Sequence, residues 1–183
     1  MKKIAMLLTV VFVCAIGAFA QTPNFAGTWK LDTSKLDERR AAIIESETRV
    51  VEQTDKEIKL TTTTVRKPAP AGGGGGQGGP PGGGGGGFGG GQGGGGPVSY
   101  MLDGKEVVAE RDTPNGKIST KTTAKMNGSK LEVNSSTVGP DGTERKSITI
   151  WELSADGKTL TVKATRPGRD GVDMTTESFY MKN

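Results

Sequence analysis

From residue 97 onward, pairs that favour tight turns recur at near-regular intervals: Asp103-Gly104, Asn115-Gly116, Asn127-Gly128, Asp141-Gly142, Asp156-Gly157, and the stretch from Gly168 to Gly171. Such pairs supply the positive φ that short hairpin loops demand, so each marks the reversal of an antiparallel strand. Between them the chain is rich in Thr, Val and Ile and alternates with a period of two. Ile118, Thr120, Thr122, Ala124 and Met126 fall on one side of a strand, and Lys117, Ser119, Lys121, Thr123 and Lys125 on the other. Leu131, Val133, Ser135 and Thr137 repeat the pattern, as do Leu160, Val162 and Ala164. In 144–153 the pattern breaks, because Ile148 and Ile150 have the opposite parity to Trp151 and Leu153. A bulge or two covered faces would account for that.

Upstream, the periodicity predicts a strand over 24–31, with Phe25, Gly27, Trp29 and Leu31 on one face. A helix is expected near 34–44, with Ser34 as its N-cap and Leu36, Ile43 and Ile44 as its apolar edge. Two further strands are expected near 47–53 and 56–66, turning at Thr54-Asp55, and in the second Ile58, Leu60, Thr62 and Thr64 share a face. The fold class that follows is all-β: an antiparallel up-and-down meander of about 8–10 strands with one short helix after the first. An open sheet of that length exposes hydrogen-bonding edges, and closure into a barrel removes them.

Two segments stand apart from this pattern. Residues 72–96 hold 20 glycines, interrupted only by Gln77, Pro80, Pro81, Phe88 and Gln92. Were this tract a linker between domains, some 45 residues (21–66) would have to fold alone without disulfide or metal, near the lower limit for independence. As an internal loop, residues 67–97 replace a turn of about four residues at a closure cost of only ~1.8 kcal/mol. The expected organisation is therefore one domain over 21–183, interrupted by a disordered glycine-rich loop.

The other segment is the start, MKKIAMLLTVVFVCAIGAFA. Lys2 and Lys3 form a charged region, Ile4 to Ile16 an apolar one, and Ala18-Phe19-Ala20 a small-x-small cleavage pattern. Residues 1–20 thus read as a signal peptide cut after Ala20, which sends the protein to the periplasm or the medium with no membrane span left. Val13 stands where a lipid-modified Cys14 would need a small residue, so a lipid anchor is not expected.

Composition excludes much chemistry. The chain has no histidine, and its one cysteine, Cys14, lies in the leader. That removes disulfides, Cys and His metal sites, imidazole acid/base catalysis and the Ser-His and Cys-His nucleophile systems from the mature protein. Losing Lys2 and Lys3 with the leader lowers the net charge from +4 to +2, too little to draw the protein to nucleic acid or anionic lipid. The glycine tract matches G-x-G-x-x-G many times, but no βαβ unit surrounds it, so it does not signal nucleotide binding. Glu106, Glu110, Asp112 and Glu152 have no spacing that pairs them on an inward face, and a solvated role is expected of them. The threonines on the inward faces admit two readings. Either the interior tolerates water and holds a cavity, or they serve β-propensity on a half-exposed sheet.

The opening Asn24-Phe-Ala-Gly-Thr-Trp29-Lys-Leu31 resembles the first strand of the calycin superfamily, where lipocalins carry Gly-x-Trp and fatty-acid-binding proteins a nearly identical Gly-Thr-Trp-Lys-Leu. Together with the LDGKE hairpin at 102–106 and WELSADGKTLTV at 151–162, it is also similar to small exported bacterial lipocalin-like proteins of unknown function. The resemblance implies a barrel whose closed end is plugged by Trp29. The chain departs from both relatives at the ligand and cation positions. Ser178 stands where fatty-acid-binding proteins carry the arginine of their last-strand Arg-x-Tyr, before Tyr180, and only Lys182 is near enough to stand over Trp29 as the lipocalin arginine does.

The functional expectation is a non-catalytic barrel, without cofactor or metal, that binds a small, largely apolar molecule in a cavity lined by Trp29, Leu60, Ile118, Thr120, Leu131 and Leu160. The alternative is a ligand-free envelope or interaction protein whose glycine-rich loop reaches a partner.

Overall fold

The computed structural model describes residues 22–68, 97–168 and 171–183, so the leader and the glycine tract lie outside the described residues. Ten strands form: β1 (Gly27–Leu31), β2 (Ile44–Gln53), β3 (Glu57–Arg66), β4 (Val98–Met101), β5 (Val107–Thr113), β6 (Gly116–Asn127), β7 (Lys130–Val138), β8 (Glu144–Leu153), β9 (Thr159–Pro167) and β10 (Asp173–Lys182). All join one antiparallel sheet in the order β4-β3-β2-β1-β10-β9-β8-β7-β6-β5. The first and last strands are paired, with Leu31 opposite Tyr180, so strands from both sides of the glycine tract share that sheet. Among the described residues the circle closes at a single bridge between Asp103 and Lys125, beside which Gly104 N–H donates to the Ala124 carbonyl at 3.1 Å. The architecture is an up-and-down, nearly closed β-barrel, as the turn spacing predicts.

Turn chemistry carries the meander. Gly104, Gly116, Gly128, Gly142 and Gly157 all have positive φ. The aspartates at these turns hold them further, as where Asp156 Oδ1 accepts from both Ser154 Oγ at 2.5 Å and Lys158 N–H at 3.0 Å. Gly27 is constrained differently. Its φ is +139°, and a Cβ there would stand 3.1 Å from Lys182 Cε. Lys182 Nζ in turn lies 5.3 Å from the centre of the Trp29 ring, a cation over the tryptophan at the place the resemblance implies.

Packing divides the interior into two levels. At one end Phe25, Trp29, Ile58, Leu60, Tyr100, Leu131, Trp151 and Leu160 are buried to 5 % exposure or less. Trp29 Nε1 donates to the Phe25 carbonyl at 2.8 Å, and Phe25 and Tyr100 each meet Trp151 edge to face, with ring centres 5.9 and 6.2 Å apart. Gln53 clamps this plug by accepting from Phe25 N–H at 2.7 Å while donating to the Pro23 carbonyl at 2.9 Å. Each such side chain contributes roughly 1.5–3 kcal/mol by leaving water. Toward the other end the inward positions become Thr62, Thr120, Thr122, Thr137, Ser147 and Thr176, and these stay half-buried.

Three sequence expectations are corrected. The strand expected from residue 24 begins at Gly27, because the backbone of Phe25 turns aside to serve the plug. In place of a helix over 34–44 there is a 3₁₀ turn, Thr33–Lys35, and a single α turn, α1 (Glu38–Ala41). The caps are Asp32, accepting from Ser34 N–H at 3.1 Å, and Asp37, accepting from Arg40 N–H at 3.0 Å, so Ser34 is no cap. Two Asx caps five residues apart split the segment, and Ile43-Ile44 leads straight into β2. Strand β8 carries no bulge and no second covered face. Thr149 and Trp151 point inward in unbroken register, while Ile148 faces out at 45 % exposure. Among the described residues no helix is long and apolar enough to cross a membrane.

Candidate functional site

Above the aromatic plug lies a cluster of charge on the inner wall. Parity along β2 fixes it: Val51 packs in the core, so Arg49 and Glu47, two and four residues earlier, must point inward as well. Both side chains are about nine-tenths buried, and Arg49 Nε donates to Glu47 Oε1 at 3.0 Å. From β10, the Tyr180 hydroxyl donates to the same Oε1 at 2.7 Å. From β3, Thr64 Oγ1 donates to Glu47 Oε2 at 3.3 Å. The Arg49 guanidinium lies over the Tyr180 ring, its central carbon 4.3 Å from the ring centre. A buried carboxylate is thereby held by one cation and two hydroxyls, as burial of a charge requires.

Burial pushes the Tyr180 hydroxyl well above the ordinary tyrosine range; Arg49 works against that shift, and Glu47 adds to it through its charge and its hydrogen bond. Tyr180 is consequently a neutral donor across the physiological range. Arg40, carried to the rim by α1, supplies a second cation. Its Nη1 donates to Ser178 Oγ at 2.9 Å and to the Glu177 carbonyl at 3.5 Å.

The cluster has unused capacity. Thr62 stands directly across from Arg49 on the neighbouring strand, and its buried Oγ1 has no hydrogen-bond partner. Among the described residues the Arg49 guanidinium makes one hydrogen bond, through Nε, so its two terminal nitrogens remain as donors. Across the barrel on β8, Thr149 Oγ1 is the second buried hydroxyl without a partner. Orphaned polar groups of this kind are uncommon and mark places where water or a ligand atom completes the bonding.

Of the residues singled out from the sequence, Trp29, Leu60, Leu131 and Leu160 are at 0–2 % exposure and interlocked within the core. Ile118 and Thr120 lie on β6 and are half-buried, with Thr120 Oγ1 hydrogen-bonded to Thr137 Oγ1 at 3.2 Å. The structure thus places four in the plug and two on the upper wall. The charged cluster between these levels was absent from that set, although the inward parity of Glu47 and Arg49 could have been read from Val51. Among the concavities that the described residues form, two open ones lie away from these positions. One, of about 390 Å³, lies at the hairpin rim by Asn115, Pro140, Asp141 and Arg145; the other, of about 250 Å³, runs along β6–β8 and is lined by residues of both facings, among them Lys121, Asn134, Ser135, Lys146 and Ser147.

No family model, curated protein or solved structure matches the chain. The class is therefore defined by architecture alone: a ten-stranded antiparallel meander, nearly closed, compatible with a calycin-like barrel.

Proposed function

We propose that this is an exported, non-catalytic calycin-like barrel that binds a small, largely apolar molecule by its polar end. The observation that carries the reading is the set of unused donors, the Arg49 terminal nitrogens and Thr62 Oγ1, set in the inner wall between an apolar plug and a half-buried upper wall. An acceptor atom on the ligand would satisfy both. Its apolar body would lie over the plug formed by Trp29, Leu60, Leu131 and Leu160, against Ile118 and the methyl groups of Thr120 and its neighbours. No chemistry is assigned: Glu47 already accepts three hydrogen bonds, and Tyr180 is held neutral.

The experiment is native mass spectrometry of the exported protein after mild extraction, paired with thermal shift across a panel of apolar metabolites. A bound mass, released by Arg49→Met, is the expected result. A clean apo mass with no shift across the panel would reject ligand binding.

One observation favours a second reading, that of a ligand-free envelope or interaction protein: an open concavity of about 390 Å³ sits on the hairpin rim, away from the interior. Deleting residues 72–96 separates the two. Loss of a partner or of localisation, with stability unchanged, supports the second reading; an unaltered interactome supports the first.

A further inference from the structure

We infer that the interior site selects molecules ending in a neutral acceptor, such as an amide or ester carbonyl, and disfavours the corresponding free carboxylate. This rests on the ligand-binding reading above and names the class of ligand. Three observations converge on it.

The first is the kind of group left unsatisfied. The available groups at Arg49 and Thr62 are N–H and O–H, so the complementary ligand atom is an acceptor. The second is charge. Arg49 is already neutralised by Glu47 at 3.0 Å, both side chains being about nine-tenths buried. A ligand carboxylate on the free nitrogens of Arg49 would bring a second buried anion close to Glu47, and like charges in such a place are disfavoured. The third is that the other nearby cation is already engaged. Arg40 Nη1 donates both to Ser178 Oγ at 2.9 Å and to the Glu177 carbonyl at 3.5 Å.

A neutral carbonyl meets the same donors without disturbing the pair. Glu47 is then the specificity-determining residue. It keeps the arginine in place and charge-balanced, and so converts what would be an anion anchor into a site for neutral polar ends.

The test uses three probes with one chain length: decanamide, methyl decanoate and decanoate. Each is titrated calorimetrically at neutral pH into the exported protein and into Glu47→Gln. The wild-type protein should bind decanamide and methyl decanoate at least tenfold more tightly than decanoate. Glu47→Gln leaves Arg49 unbalanced and should close or reverse that ratio by raising decanoate affinity. Equal affinity of the wild-type protein for acid and amide would overturn the inference while leaving ligand binding intact. So would an unchanged preference in Glu47→Gln. Should that variant fail to fold, the wild-type ratio decides alone. If none of the three probes binds the wild-type protein at millimolar concentration, the binding reading falls and takes this inference with it.

Discussion

The Tyr180 hydroxyl reaches past β1 to donate to Glu47 Oε1 at 2.7 Å, joining β10 to β2 across 133 positions of sequence. Leu31 stands opposite Tyr180 on the intervening strand, so the contact spans three strands at the level where the apolar plug gives way to polar wall. It ties the two ends of the meander together by side chains as β1 and β10 tie them by backbone.

Breaking this cluster should be expensive and unequal. Arg49→Met strands the buried Glu47 carboxylate and should lower unfolding free energy by about 3–5 kcal/mol. Tyr180→Phe removes one charge-assisted hydrogen bond and keeps the ring beneath the guanidinium, so a loss of about 1.5–3 kcal/mol is expected. Urea unfolding of both single variants and the double should show non-additivity above about 0.5 kcal/mol, because both partners act on one carboxylate. Strict additivity would mean that the three groups do not form a unit.

Alkaline pH should destabilise the protein, chiefly through Tyr180. Its folded-state pKa is raised, first by burial, above the ordinary value of about 10. The folded protein therefore keeps a proton that the unfolded chain gives up. The stabilisation is complete below about pH 10 and is lost as the pH rises beyond it. Burial acts in the same direction on Tyr100. Unfolding midpoints between about pH 9 and pH 11.5 should fall less steeply in Tyr180→Phe than in the wild-type protein, with Tyr100 accounting for the remainder. Parallel curves would contradict the burial of the hydroxyl.

Two aliphatic residues on adjoining strands make a control for inward and outward facing. Leu160 is fully buried and Ile148 is 45 % exposed. Leu160→Ala should cost about 2–5 kcal/mol, the range for core truncation, and Ile148→Ala no more than about 0.5 kcal/mol. Comparable losses at the two sites would show that the facing of β8 is wrong.

How much of this was legible beforehand differs by level. The meander was readable because its signals are local: a turn glycine with positive φ and a two-residue alternation need no knowledge of distant strands. The α segment failed because two competing Asx caps, Asp32 and Asp37, cut short what the apolar positions suggested. Parity misled at Ile148 and Ile150, where aliphatic residues lie outside and Thr149 inside. The cluster of Glu47, Arg49 and Tyr180 was hidden for another reason. Its members come from β2 and β10, strands at opposite ends of the chain that meet only because β1 pairs with both, and nothing in the local pattern of residues 44–53 foretells a tyrosine arriving from residue 180.

The closure of the circle at Asp103 and Lys125 has a mechanical consequence. Consecutive strands in the sheet are laced together by ladders of several residue pairs, yet among the described residues the circumference is completed only at the Asp103–Lys125 bridge and the Gly104–Ala124 hydrogen bond beside it. A hoop clasped at one link can expand by unfastening that link while every other seam stays stitched. Opening the barrel there would then mean unhooking one clasp, with no strand torn from its neighbours.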